Sequence, residues 1–148
     1  MKLNIKYIKM NKKPFYKIKE IVSNINEIIK HNIQFNIIAI IGSQDILITN
    51  NNLNIVQIHI IDETGKIKLL IENFSDKTIL NNLLKIGNEC IFRNLKAKLY
   101  NGYLYFILNY IENNNIKSSK NNICKREKIL INSNDYSQIK FSIIGTKQ

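Results

Sequence analysis

Apolar residues recur along this chain in two rhythms, and the rhythm changes at polar or glycine-marked breaks. From Phe35 to Ile48, FNIIAIIGSQDILI is a long β-branched run interrupted by Gly42. A glycine inside such a run marks a bulge or tight bend. Thr49 to Asn52 reads as a loop. Leu53 to Ile61 predicts the next strand, with Ile58 and Ile60 on one face and Gln57 and His59 on the other. The polar tetrad Asp62-Glu63-Thr64-Gly65 then predicts a hairpin turn in which Gly65 takes the positive φ that reverses the chain. In Lys66 to Ile71, Ile67, Leu69 and Ile71 face one way and Lys66, Lys68 and Leu70 the other. Glu89 to Tyr100 is a further strand, Asn101-Gly102 is a strong two-residue hairpin signal, and Tyr103 to Tyr110 is the last strand.

Helical spacing appears in two places. Ile21, Ile25, Ile28 and Ile29 recur at near-helical intervals in IVSNINEIIKHNI, with Ser23 as a candidate cap. Ser75 to Gly87 has capping residues at its start, apolar pairs four apart, and a closing glycine, which predicts a short amphipathic helix. Before both, Phe15 to Ile21 alternates weakly and reads as a lead-in strand. The core order is therefore β-β-β-α-β-β. That order predicts an all-β fold, a five-stranded OB barrel with a short helix between strands 3 and 4 plugging one end. The expected organisation is a flexible basic N-terminal arm (1–14), the OB domain (15–111), and a linker and C-terminal tail (112–148). NNNIKSSKNN reads as linker, and KILI (Lys128 to Ile131) and FSII (Phe141 to Ile144) are apolar pieces able to dock back or to bind a partner.

Composition changes this picture little. Of 148 residues, Ile (32), Asn (24) and Lys (20) supply about half, and Lys outnumbers Arg 20 to 2. All three are encoded by AT-rich codons, so the net charge of +11 is weak evidence for a polyanionic partner. Its distribution says more. Residues 1–30 carry net +6, residues 31–110 only +1, and residues 111–148 net +4. Function in the centre must come from placed residues, not bulk charge. Cys90 and Cys124 belong to no CxxC pair and are expected as reduced thiols. No apolar run approaches the ~18 residues of a membrane span, and no secretory signal is expected.

The hairpin around Asn101-Gly102, AKLYNGYLYF, holds the most informative constellation. Alternation sends Ala97, Leu99, Leu104 and Phe106 inward, and Lys96, Lys98, Tyr100, Tyr103 and Tyr105 outward. Cations interleaved with rings on an open sheet face are what single-strand binding needs, charge for phosphates and ring faces for bases. Lys66 and Lys68 on the neighbouring strand extend the track. An ordinary solvated strand face would also carry tyrosine and lysine. His59, His31 and the two cysteines have no spacing that makes a catalyst or zinc site. Glu72 and Asp76 suit a strand end and a helix cap, and the glycines are explained by turns. Asn50 to Asn52 stand where an OB barrel has its first binding loop, although the Asn content of the chain accounts for them equally. No catalytic residue, metal site, cofactor or small-molecule substrate is expected.

The lead-in YKIKEI, the segment IIDETGKIKLLI, the turn IGNE and the hairpin AKLYNGYLYF together resemble single-stranded-DNA-binding OB proteins. The resemblance is to the SOSS B family, the single-strand binders of the SOSS complex, with its archaeal relatives and the DNA-binding domains of replication protein A. It spans Phe15 to Tyr110, with a fainter likeness in ILINSNDYSQ (Ile129 to Gln138). It implies a nuclear, non-catalytic protein that binds single-stranded DNA in repair and genome maintenance, with RNA left open and protein partners in a larger assembly. Family members stack bases on aromatics whose positions fall here on Glu72, Lys96, Tyr100 and Ile107. Only Tyr100 keeps its ring, Tyr103 and Tyr105 are gained on the same face, and tryptophan is absent. The alternative reading is a protein-interaction OB domain with little DNA affinity, in an assembly like replication protein A or a telomere cap.

Overall fold

The computed structural model describes residues 14–48, 54–72, 82–109, 115–119 and 134–141. Its elements are α1 (Ile18–Ser23), α2 (Ile25–Lys30), β1 (Phe35–Ile48), β2 (Asn54–Asp62), β3 (Gly65–Glu72), β4 (Glu89–Tyr100), β5 (Tyr103–Asn109) and β6 (Ile116–Ser118), followed by a 3-10 turn at Tyr136–Gln138. Strands pair in the order β1-β2-β3-β5-β4, and β1 also pairs β4, so the five strands close into a barrel. The β3–β5 pair is parallel and the others antiparallel. Closure covers most of the sheet edges that would otherwise template aggregation. β6 adds to the outer side of β4 through Cys90↔Ser118, Ile91↔Lys117 and Phe92↔Ile116, so part of the stretch expected as linker is strand.

Two bulges shape the barrel. Ile41 pairs with Ile60 but Ser43 with His59, which leaves Gly42 as the extra residue of β1, the irregularity its glycine predicts. A Cβ on Gly42 would lie 2.6 Å from Ile61 Cδ1, so any larger residue would have to displace the end of that side chain. The second bulge is in β4: Phe35 pairs with Leu95 but Ile37 with Phe92. Asn94 takes a left-handed φ of 62°, and its N–H donates to the buried Asn36 Oδ1 at 3.0 Å. Phe92 and Leu95 consequently both point inward.

The interior is lined by alternate residues, Ile37, Ile41, Ile58, Ile60, Ile67 and Leu69 among them, around Phe35, Phe92 and Phe106. Phe35 and Phe106 meet edge to face at 4.9 Å. Ile18, Ile21, Ile25 and Ile28, at helical spacing on α1 and α2, join the same core, each worth about 2 kcal/mol on burial. Those two helices precede β1. Most of the helix expected between strands 3 and 4 falls on residues 73–81, outside the described residues. Its described remainder puts Leu84 in the core, and Gly87 (φ 95°) donates its N–H to the Ile41 carbonyl at 2.7 Å.

Several local expectations are corrected. Phe15 makes a single parallel bridge to Asn36, and the lead-in then becomes helix from Ile18 in place of a strand to Ile21. The helical pattern breaks at Asn24, so Ser23 ends α1 and does not cap a helix. Gly65 does not have a positive φ, unlike Gly87 and Gly102. It is glycine because a Cβ there would run into the Tyr136 ring.

The acidic turn does more than reverse the chain. Asp62 is buried, and its Oδ1 accepts from Thr64 N at 2.7 Å and Gly65 N at 3.1 Å. Its Oδ2 accepts from Ile18 N at 2.8 Å, and Thr64 Oγ1 accepts from Lys19 N at 3.0 Å. Amides that a helix start leaves unpaired thus find their acceptors in the turn. Lys17 pairs with Glu63.

Candidate nucleic-acid interface

The outward face of β3, β5 and β4 is built from cross-strand rows. Lys68 pairs with Tyr105 and Tyr105 with Lys98; Leu70 pairs with Ile107 and Ile107 with Lys96; Glu72 pairs with Asn109, and Tyr100 with Tyr103. The outward set read from the hairpin is therefore assembled as expected. It depends on the Asn94 bulge. Without that extra residue, Lys96, Lys98 and Tyr100 would share the inward side with Phe92.

Rings and cations gather at the hairpin end. Tyr100 and Tyr103 are exposed at 45% and 39%. The Tyr100 and Tyr105 rings meet edge to face at 5.5 Å, and Lys68 Nζ lies 5.8 Å from the Tyr105 centroid. A Lys over a ring leaves its N–H donors available to phosphate while it holds the ring in place.

The C-terminal segment 134–141 docks against this end. Lys66 N donates to the Asn134 carbonyl at 2.7 Å, and Phe141 N to the Gly102 carbonyl at 2.7 Å. Asp135 bridges to Lys66 and Lys140 to Tyr103, so the segment fills the gap where β3 and β5 diverge ahead of their Lys68–Tyr105 pair. Lys66 Nζ is 3.6 Å from Asp135 Oδ2, and Lys140 Nζ is 5.9 Å from the Tyr103 centroid. Lys66 is thus already partnered by a carboxylate, while Lys140 joins the face from far along the chain. Burial pushes the Asp135 carboxyl up, but hydrogen bonds from Ser137 and the charges of Lys66 and His59 outweigh it and hold its pKa below the usual carboxylate value.

At the other end the face deepens into a groove of about 510 Å³. Lys96, Lys98 and Glu72 line it, Ile107 forms an apolar part of its lining, and Gln34 and Asn115 contribute carboxamides. Ile107 belongs to the outward row yet is only 5% exposed. Glu72, Lys96 and Ile107 are the positions that the family resemblance aligns with stacking rings, and the structure brings all three into this groove. Gln34 and Asn115 could not be found from sequence, because one precedes β1 and the other precedes β6.

The remaining candidates are ordinary contacts. Ser43 Oγ and His59 Nδ1 are 2.6 Å apart, and His31 Nε2 is 3.2 Å from Glu27 one turn earlier in α2. Cys90 is buried, and that burial, with the charge of Glu89 second, pushes its thiol up to about 12. Among the described residues no group of three His, Cys, Asp or Glu could hold a metal ion. Asn50 to Asn52, Cys124 and the KILI segment lie outside the described residues.

No family model matches the sequence, and no curated protein does. Among solved structures, the chain is similar to the OB domain of a protein from Thermoplasma acidophilum, with 16% identity and a TM-score of 0.52 over 74% of this chain and 90% of that one. A hypothetical protein from Arabidopsis thaliana overlaps at 14% identity, covering 78% of this chain and 81% of that one, but its TM-score of 0.49 is too low to bear on the fold. Barrel closure, strand order and the first similarity agree: the chain has an OB fold.

Proposed function

We propose that this OB barrel binds single-stranded DNA, without catalysis, across the outward faces of β2 to β5. The observation that carries the reading is the assembled row Lys68–Tyr105–Lys98 with Tyr100 and Tyr103 beside it. Rings for bases thereby alternate with cations for phosphates. Tyr100, Tyr103 and Tyr105 stack bases, and Lys68, Lys96 and Lys98 contact the backbone. Lys66 contributes once Asp135 yields it. By its family resemblance the protein acts in the nucleus, in DNA repair and genome maintenance, within a SOSS-like assembly that includes protein partners.

Fluorescence anisotropy with a labelled oligo-dT strand of ~30 nucleotides, taken through a salt series, tests this reading. Binding prefers single-stranded over duplex DNA and keeps appreciable affinity as salt rises, because stacking releases no counterions. Tyr100→Ala combined with Tyr103→Ala costs about 2 kcal/mol or more in affinity. Unchanged binding by that folded double variant would remove the proposed face.

A second reading has its own observation. Glu72 and Lys96 occupy stacking positions without rings, which favours a protein-interaction domain with little DNA affinity. Weak binding, indifferent to strandedness and erased by modest salt, would support that reading instead.

A further inference from the structure

We propose that Glu72 makes the groove selective for guanine, an inference that rests on single-strand binding by this face. The face has two chemically different halves. The hairpin half offers rings and cations, which accept any base. The groove half offers one carboxylate, two lysines, four carboxamides, each with both a donor and an acceptor, and an apolar patch at Ile107. A carboxylate on a phosphate-binding surface repels the backbone and weakens every complex alike unless it meets a donor on the ligand. Glu72 forms no ion pair among the described residues. Lys96 and Lys98 line the same groove and supply cations for the phosphates that flank a base there.

The donor pattern of the bases then decides which one enters. A carboxylate has two acceptor oxygens in one plane and no donor. Guanine presents N1–H and the 2-amino group side by side on its Watson–Crick edge, so it alone can donate two parallel hydrogen bonds to that carboxylate. Cytosine and adenine each offer one amino donor next to a ring-nitrogen acceptor. Thymine offers one N–H flanked by two carbonyls that face the carboxylate unfavourably. Single-strand binders read such edges on unstacked bases, and a two-bond charge-assisted contact discriminates by roughly tenfold or more.

The test compares three labelled strands of about fifteen nucleotides, long enough for one OB site. One is oligo-dT, the second has guanine at every third position, and the third has inosine in place of those guanines. Inosine lacks the 2-amino group and so loses one of the two donors. The full chain is expected to bind the guanine strand about tenfold tighter than oligo-dT, with inosine between. Glu72→Gln, which removes the charge and one acceptor oxygen, is expected to bring the strands to within about twofold while leaving oligo-dT binding equal or tighter. Circular dichroism and the melting temperature establish that this variant is folded. Equal binding of all three strands by the wild-type chain would overturn the role of Glu72 and leave single-strand binding standing. A guanine preference that survives in Glu72→Gln would overturn the assignment of selectivity to this residue. Failure to bind any strand would overturn this inference together with the proposed function.

Discussion

Gly65 shows how one residue's role changes between chain and fold. Read in DETG, it is the flexible end of a turn, and its dihedral angles do not use that freedom. Its hydrogen is what matters, because the Tyr136 ring rests where a Cβ would be, with one ring carbon 2.7 Å away and a second closer still. Gly65→Ala is therefore expected to destabilise the protein by about 1–3 kcal/mol through overpacking, read as a lower urea midpoint. In a Tyr136→Ala background the same substitution should cost much less, since only the Asn134 carbonyl at 3.1 Å remains close. Equal penalties in both backgrounds would mean that the turn, not the ring, requires glycine. Asp62 was legible only in part for a related reason. Its place in a turn is a local property, while its bond to Ile18 N joins residues 44 apart in sequence.

At the scale of elements, the docked segment 134–141 is the feature with the most direct bearing on the site. Its charge contact, Asp135 with Lys66, joins partly exposed groups and contributes at most about 1 kcal/mol. The folded-state pKa of Asp135 lies below its ordinary value, so its contribution is present above the unfolded pKa of ~3.9 and is lost as pH falls through the folded value. Hydrogen exchange at Lys66 N, which donates to Asn134 O, should accelerate relative to the barrel strands across that acidic interval, after correction for intrinsic rates. Asp135→Asn should abolish this dependence. Exchange that tracks the barrel strands at every pH would show that backbone pairing alone holds the segment. The elements were unevenly readable from sequence. β2 to β5 announced themselves by alternation, β1 by its β-branched run and Gly42 its bulge, while β6 gave no signal and the alternating lead-in became helix. The bulge at Asn94 did not announce itself, since asparagine occurs so often in this chain that one more carries no signal. Reading inward from the Asn101-Gly102 turn still assigned the hairpin faces correctly, because alternation holds on that side of the bulge.

The whole barrel responds to alkaline pH through two groups with raised pKa values. Cys90, pushed to about 12 by burial and secondarily by Glu89, stays a neutral thiol in the fold but ionises at about 8.5–9 once unfolded. For Lys17, burial lowers the pKa, but the hydrogen bond and charge of Glu63 outweigh that and raise it. A raised folded pKa gives stability that is complete below the unfolded value and declines as pH rises toward the folded one. Urea midpoints should therefore hold steady near neutral pH and fall from about pH 9 upward, with Cys90 acting first. Iodoacetamide should label folded Cys90 far more slowly than the unfolded chain. A flat midpoint between about pH 8 and about pH 11, or rapid native-state labelling of Cys90, would contradict its burial.

From the chain alone one could read the five barrel strands, the places of the two hairpin turns and the faces of the β4–β5 hairpin, but not β6 or the helix that replaces the lead-in strand. Each feature that could be read is decided within a few residues, by side-chain alternation or by the few residue types that suit a tight turn. The sequence also indicated the OB architecture, through the order of its elements. Tertiary structure alone decided where Glu72, Lys96 and Ile107 meet, that Asp135 occupies Lys66, and that two helices ahead of β1 help fill the core. Apart from the Lys96–Ile107 pair within one hairpin, those facts join residues tens of positions apart. Barrel closure and bulge placement set such contacts, and no local pattern of hydrophobic and polar residues encodes them.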